Sequence, residues 1–341
     1  MRRWVIDRHG RDSLRTDDAS TPSPATGEVL VRVSAVALNA RDPMMIDHGM
    51  GLNLDFPFVP ASDMAGVVEV AGNGVIRFAT GDRVISNFLP DWLDGRPGGS
   101  ARELSYRTLG GHYPGVLSEH VCFPEGWFTA APTTLDGAEA STLPVAGLTA
   151  WFSLVEQGRI KAGETVLLPG TGGVALFALQ IAVAHGAEVI ITSASEEKLA
   201  RAKALGAAHG IKRETADVVE AVLALTGGRG ADHVLDLIGG DNFARSVATV
   251  SVGGRISVIG LLGGLELNAP TTPILLKAPV IQGIVTGHRR ALEDLVRAVD
   301  RIGLKPVIDR RYPFDDLPAA LDHLDRGAFG KIVIDMPTHG S

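Results

Sequence analysis

The stretch that most constrains this chain is Thr165-Val166-Leu167-Leu168-Pro169-Gly170-Thr171-Gly172-Gly173-Val174-Ala175. An apolar run of strand length turns through glycines into a helix-length segment ending near Gly186. That order sets the free amides of a helix N-terminus at the end of a strand, where a dinucleotide pyrophosphate is held. Gly170 is expected to make the tight turn. Gly172 leaves room for phosphate against the backbone, and Ala175 permits close packing of helix on strand. The expected cofactor contacts here are Gly170, Thr171, Gly172, Gly173 and Val174. The bland alternative is a strand, turn and helix that pack and bind nothing.

The flanking sequence supplies the context such a turn needs. From about Gly163, strands are expected at Thr165–Leu168, Glu188–Ser193, His233–Leu237, Arg255–Ile259 and Val280–Val285. Helical patterns lie between them at Gly173–His185, Ser195–Leu205, Ala216–Leu225 and Asn242–Val250. Such alternation builds an α/β fold with a Rossmann-type doubly wound parallel sheet. The first ~125 residues are different, with short Val-rich runs such as Glu28–Val33 and Gly66–Val70 punctuated by Gly and Pro. A last helix, Arg289–Ile302, leads to strand-like runs at Val307–Arg310 and Lys331–Ile334, expected to return to the first domain's sheet. The tail after Met336 is expected to be loose.

Two domains suit 341 residues. A net charge of -7 argues against a nucleic-acid partner. The lone Cys122 excludes a disulfide framework and a four-cysteine zinc site. Met1–Asp7 has no apolar signal core, and no run is long enough to cross a bilayer, so a cytoplasmic, reducing setting is expected.

NAD-preferring sites usually carry an acid at the end of the second strand, about 20 residues past the glycines. Here Ser193 stands there, and a serine does not repel a 2′-phosphate. Ser195, Lys198 and Arg201 offer hydrogen bonds and positive charge, whereas Glu196 and Glu197 read as helix-start acids. NADPH is therefore favoured over NADH, with Lys198 as a plain solvated lysine the alternative reading. Ligands lie beyond the carboxyl ends of parallel strands. This adds Ile238 in Leu237-Ile238-Gly239, then Gly260, Leu261 and Leu262, and Val285.

The chain as a whole resembles the medium-chain dehydrogenase/reductase superfamily, in its zinc-free quinone oxidoreductase-like and alcohol dehydrogenase-like branch. The resemblance rests on Gly27–Val33, Leu38-Asn39-Ala40-Arg41-Asp42, Gly81-Asp82-Arg83-Val84, Ala146–Trp151, the glycine-rich turn and Ala202–Ala207. It implies a GroES-like β-rich domain at 1–127, a Rossmann cofactor domain at 128–288 and a C-terminal return at 289–341. It implies a homodimer paired through Val280–Val285. Thr149 matches a position near the nicotinamide or diphosphate, and Lys331 one that approaches the cofactor. Zinc-dependent members carry three ligands at positions matched here by Asn39, Ser62 and roughly Ala146, none of which suits zinc. No metal is expected.

Without zinc, the resemblance implies hydride transfer from NADPH to a small electrophile, a quinone or an activated C=C bond. Asn39 is the candidate donor to the substrate carbonyl, with a structural loop asparagine as the alternative. Asp42, paired with Arg41, is a candidate to shape the pocket, with a plain loop ion pair the alternative. His48 is a candidate proton donor, since relatives' tyrosine is missing from Pro43–Met50, with an exposed loop histidine and water as the donor the alternative. Phe88, Trp92 and Met45 are expected as pocket walls, with a place in a core or an interface the alternative. An alcohol or aldehyde dehydrogenase, or a non-catalytic NADPH-binding protein, are the alternatives.

Overall fold

A computed structural model describes residues 1–337; residues 338–341 of the tail lie outside them. The described chain divides into two units. One comprises Met1–Leu148 and the segment from Gly287 onward, the other Thr149–Thr286.

The first unit grows around the strand Glu28–Leu38, whose branched residues Val29, Val31 and Val36 are buried. Asp63–Ala71 pairs antiparallel along one edge. The other edge is shared: His120–Pro124 takes Glu28–Arg32, and Lys331–Asp335 takes Ala35–Leu38. Ile308–Pro313 lies parallel outside Lys331–Asp335, so the C-terminal strands do return to the first sheet. Arg83–Ser86 and Phe128–Ala130 extend the far side. That last pairing keeps the chain through Leu148 with the first unit, about twenty residues beyond the expected 127/128 boundary. The core under the sheet includes Ile6, Leu38, Met64, Phe128 and Ile332. The helix Leu317–Arg326 was not anticipated; it buries Leu317, Ala320 and Leu321.

The second unit is a six-stranded parallel sheet. Its spatial order is His209–Lys212, Glu188–Ser193, Thr165–Pro169, Ala231–Asp236, Val250–Val258 and Val280–Gly283. The chain steps outward from Thr165–Pro169 in one direction, then restarts at Ala231–Asp236 in the other. That reversal opens a crevice beyond the carboxyl ends of these two strands. Glu188–Ser193 has the expected bounds, while Val250–Val258 starts five residues before the expected Arg255, because Val250 already pairs with Ala231 across an irregularity. Elements beyond those expected include the edge strand His209–Lys212, the helix Thr271–Lys277 and the helical turn Phe152–Glu156. The helix Gly173–Ala184 is apolar around its whole circumference and is largely buried, which costs it an amphipathic signature. Among the described residues no helix is long and apolar enough to cross a membrane.

Candidate active site

In the second unit, Gly170 turns the chain at φ 110, a conformation that side chains disfavour. Its N–H donates to Thr192 O at 3.0 Å, which ties the turn to the neighbouring strand. Gly172 is the N-cap of the helix Gly173–Ala184 and supplies no side-chain cap. A Cβ built there would meet nothing within 4 Å. The helix's first amides carry no side-chain cap and the space beside Gly172 is open, a fit for a pyrophosphate at the positive end of the helix dipole. Ala175 is wholly buried where the close packing was expected.

The crevice has a second wall of backbone. At Gly239 (φ 73) a Cβ would lie 2.2 Å from Gly260 O, so the loops after Ala231–Asp236 and Val250–Val258 touch main chain to main chain. Gly263 N–H donates to Ile238 O at 2.8 Å. Ile238 and Gly260 are thus fixed together, while Leu261 and Leu262 stand exposed. Sequence reasoning missed the residue that organises this turn. Asp236, fully buried, accepts from the Ile238 and Gly239 amides, Asn242 Nδ2 and Ser246 Oγ. An acid ending the apolar run His233-Val234-Leu235 was the available signal.

At the end of the second strand, Ser193 Oγ accepts from Ser195 N–H at 3.2 Å, and Ser195 Oγ caps its helix by accepting from Lys198 N–H at 3.3 Å. The three expected adenine-end residues are therefore neighbours. Arg213 and Arg245, not anticipated, line a recess with Thr192 and Ile238. Thr149 is buried with its hydroxyl unpartnered among the described residues. Val285 is exposed.

In the first unit, strand register creates a second cluster. Ile332 pairs with Leu38 and Ala37 with Asp63, so Lys331, Asn39 and Asp63 meet at one end of the sheet. Lys331 Nζ donates to Leu38 O and, at 2.6 Å, to Asn39 Oδ1. Asp63 accepts from Ser62 Oγ at 2.7 Å and from Val145 N–H at 3.0 Å. Asp42, in the first turn of the helix Arg41–His48, accepts from Asn39 N–H at 2.7 Å. Asn39 Nδ2 has no hydrogen bond of good geometry, though it lies near enough to Asp63 to favour the carboxylate.

Burial dominates the electrostatics. It pushes the Asp42 carboxyl up to about 6, against the pull of Arg41 and the Asn39 amide. It also raises Asp63 and lowers Lys331, while the charge of each draws the other back toward ionisation. Arg41 lies 4.0 Å from Asp42, donates to Thr108 Oγ1 and Leu109 O, and stacks over Phe88 with its guanidinium carbon 5.0 Å from the ring centroid.

Other expected residues are engaged locally. His48 is exposed, and its Nδ1 accepts from Met50 N–H at 3.3 Å; the ring caps the next turn instead of joining Asn39. Met45 is packed into the core, and Trp92 donates to Gly95 O while standing edge-on to His288. Lys331, expected to approach a cofactor, directs donors into its own sheet. The positions matched to zinc ligands hold an amide whose oxygen is engaged by Lys331, a hydroxyl that donates to Asp63, and the methyl of Ala146. That donor set does not fit zinc. Among the described residues no three His, Cys, Asp or Glu side chains are grouped to hold a metal.

Comparison with known proteins places this geometry in context. A family model described as "Alcohol dehydrogenase GroES-like domain" matches residues 25–133, and one described as "Zinc-binding dehydrogenase" matches 173–301. A zinc-type alcohol dehydrogenase-like protein of Schizosaccharomyces pombe is 36% identical, the match covering 97% of this chain and 98% of that one. A quinone oxidoreductase of Rattus norvegicus is 26% identical over 97% of this chain and 96% of that one. The crystal structure of an alcohol dehydrogenase candidate of Sinorhizobium meliloti 1021 superimposes with a TM-score of 0.96 at 60% identity, covering 98% of each chain.

Proposed function

Because this chain belongs to the medium-chain dehydrogenase/reductase superfamily and is an oxidoreductase of that type, we propose that it is a zinc-independent reductase of quinones or activated C=C bonds. One observation carries the reading. Where zinc members hold their metal, this chain has a buried cluster built on Lys331, Asn39 and Asp63.

Bound NADPH or NADH supplies the hydride. When hydride reaches the electron-poor carbon, negative charge develops on the substrate's carbonyl oxygen. Asn39 Nδ2, which has no hydrogen bond of good geometry and the Asp63 carboxylate near it, is the donor proposed to receive that oxygen, and the nearby Lys331 ammonium favours the charge. With the exposed His48 turned through Nδ1 to cap the Met50 amide, water is the proposed proton source. Hydride and proton together complete a two-electron reduction.

NADPH is preferred in this reading. Ser193 stands where an acid would repel a 2′-phosphate, and Lys198, Arg213 and Arg245 add positive charge at the same end of the crevice. A homodimer is also proposed. The edge strand Val280–Gly283 has all four residues exposed, and Leu275, Leu276 and Val285 leave apolar surface beside it. A cytoplasmic setting accords with the single free Cys122.

The test is NADPH oxidation at 340 nm by metal-analysed protein against a quinone, an enone and an aldehyde. Turnover of quinone or enone at far less than one zinc per chain is expected, with Kd lower for NADPH than for NADH. The names of the S. pombe and S. meliloti relatives favour the second reading, an alcohol or aldehyde dehydrogenase. Turnover of aldehyde alone, or only after zinc is added, would establish it instead.

A further inference from the structure

We propose that Lys331 is a positioning residue, which, with Asp63 on the other side, locks the Asn39 carboxamide in the one orientation that makes Nδ2 its donor end. The inference rests on the reductase reading of the same cluster.

A primary carboxamide has a donor end and an acceptor end of nearly equal size, and a half-turn about its last bond exchanges them. An asparagine in a pocket therefore offers a donor or an acceptor unless a neighbour decides. An ammonium group has donors and no acceptor. With Lys331 Nζ 2.6 Å from Asn39 Oδ1, a half-turn would set the amide NH2 against NH3⁺ and abolish a charge-assisted hydrogen bond. The oxygen is thereby held on the ammonium, and Nδ2, toward Asp63, is the donor.

The lysine is itself immobilised. Its second bond runs to Leu38 O, in the strand that pairs with its own. Just before it, Gly330 adopts φ 93 with Cβ space occupied by Val307 O at 2.3 Å, and Lys331 N–H donates to that same carbonyl. Asp63, pinned by Ser62 Oγ and the Val145 amide, lies close enough to help keep the ammonium charged inside the protein. Asn39 is 8% and Lys331 4% exposed, so water competes weakly for either group. Every part comes from the first unit, and none needs Lys331 to touch a cofactor.

Removing Lys331 alone would strand a buried carboxylate and risk misfolding. The informative protein is therefore the double variant K331M/D63N, compared with N39A, with K331R, and with the triple variant. The readouts are NADPH Kd by fluorescence and kcat for reduction of 1,4-naphthoquinone. The double variant should lose about 10- to 100-fold in kcat with NADPH Kd changed less than about twofold. K331R, which retains a donor-only head, should restore part of the rate. The triple variant should be no slower than N39A, because Lys331 acts only through Asn39.

Independent, multiplying losses in the triple variant would overturn the proposal. So would a double variant that binds NADPH poorly at normal kcat, since Lys331 would then be a cofactor contact. If the wild type binds NADPH and reduces neither quinone nor enone, the reductase reading falls by itself. Lysine-selective 15N NMR then judges the lock: a hydrogen-bonded Lys331 ammonium at pH 7.5 supports it, and a neutral amine refutes it.

Discussion

A carboxyl group taken out of water without full compensation titrates late, and Asp42 does so. Its ordinary value of 3.8 rises to about 6 through burial, which outweighs Arg41, Lys331 and the Asn39 amide, while the neighbouring Asp63 adds to the rise. Below about pH 4 the folded and unfolded forms are both protonated. Between about 4 and 6 the unfolded chain ionises first, so the group's contribution to stability falls as pH rises, by about 3 kcal/mol. Asp42→Asn should consequently gain melting temperature relative to wild type by several degrees on going from pH 4.5 to 7.5. A difference independent of pH between the two proteins would contradict the assignment. Asn39, Asp42 and Lys331 were each legible in the sequence as members of motifs. Their meeting was not, because 292 residues separate Asn39 from Lys331 and only strand register joins them. His48 looked like a proton donor by residue type, and only the structure shows its ring accepting from the Met50 amide.

Elements with strong local signals were read well. The turn from Thr165–Pro169 into Gly173–Ala184 needs glycine at φ 110 and an uncapped helix start, and both requirements are written in consecutive residues. Gly172 tests its purpose. Its φ of -79 and empty Cβ position let Gly172→Val fold with a melting temperature within about 2 °C of wild type, yet the new side chain would occupy the phosphate's place. NADPH affinity should drop at least about 100-fold by fluorescence titration; unchanged affinity would put the phosphate elsewhere. Weak signals were missed. His209–Lys212 is a four-residue edge strand containing Gly210, too short for a period to show. No sequence signal singles out Lys277, yet its ammonium donates to Val247, Ala248 and Val250 carbonyls at the end of the helix Asn242–Thr249.

For the molecule as a whole, the open edge at Val280–Gly283 is the feature with the clearest consequence. An exposed strand carrying Val280 and Ile281 is a liability in a monomer and a pairing surface in a dimer. Ile281→Lys should convert the proposed dimer to a monomer by light scattering at micromolar concentration; a wild type that is already monomeric would end that proposal. The sequence by itself determined the parallel sheet, the glycine turn and the β-rich first unit, because each rests on periodicity and backbone chemistry confined to a few neighbouring residues. Only the tertiary structure decided where the first unit ends, which acid organises the crevice, and that Lys331 faces Asn39 within its own sheet. Those outcomes depend on register and burial, which are set by contacts between distant segments and leave no local trace in the chain.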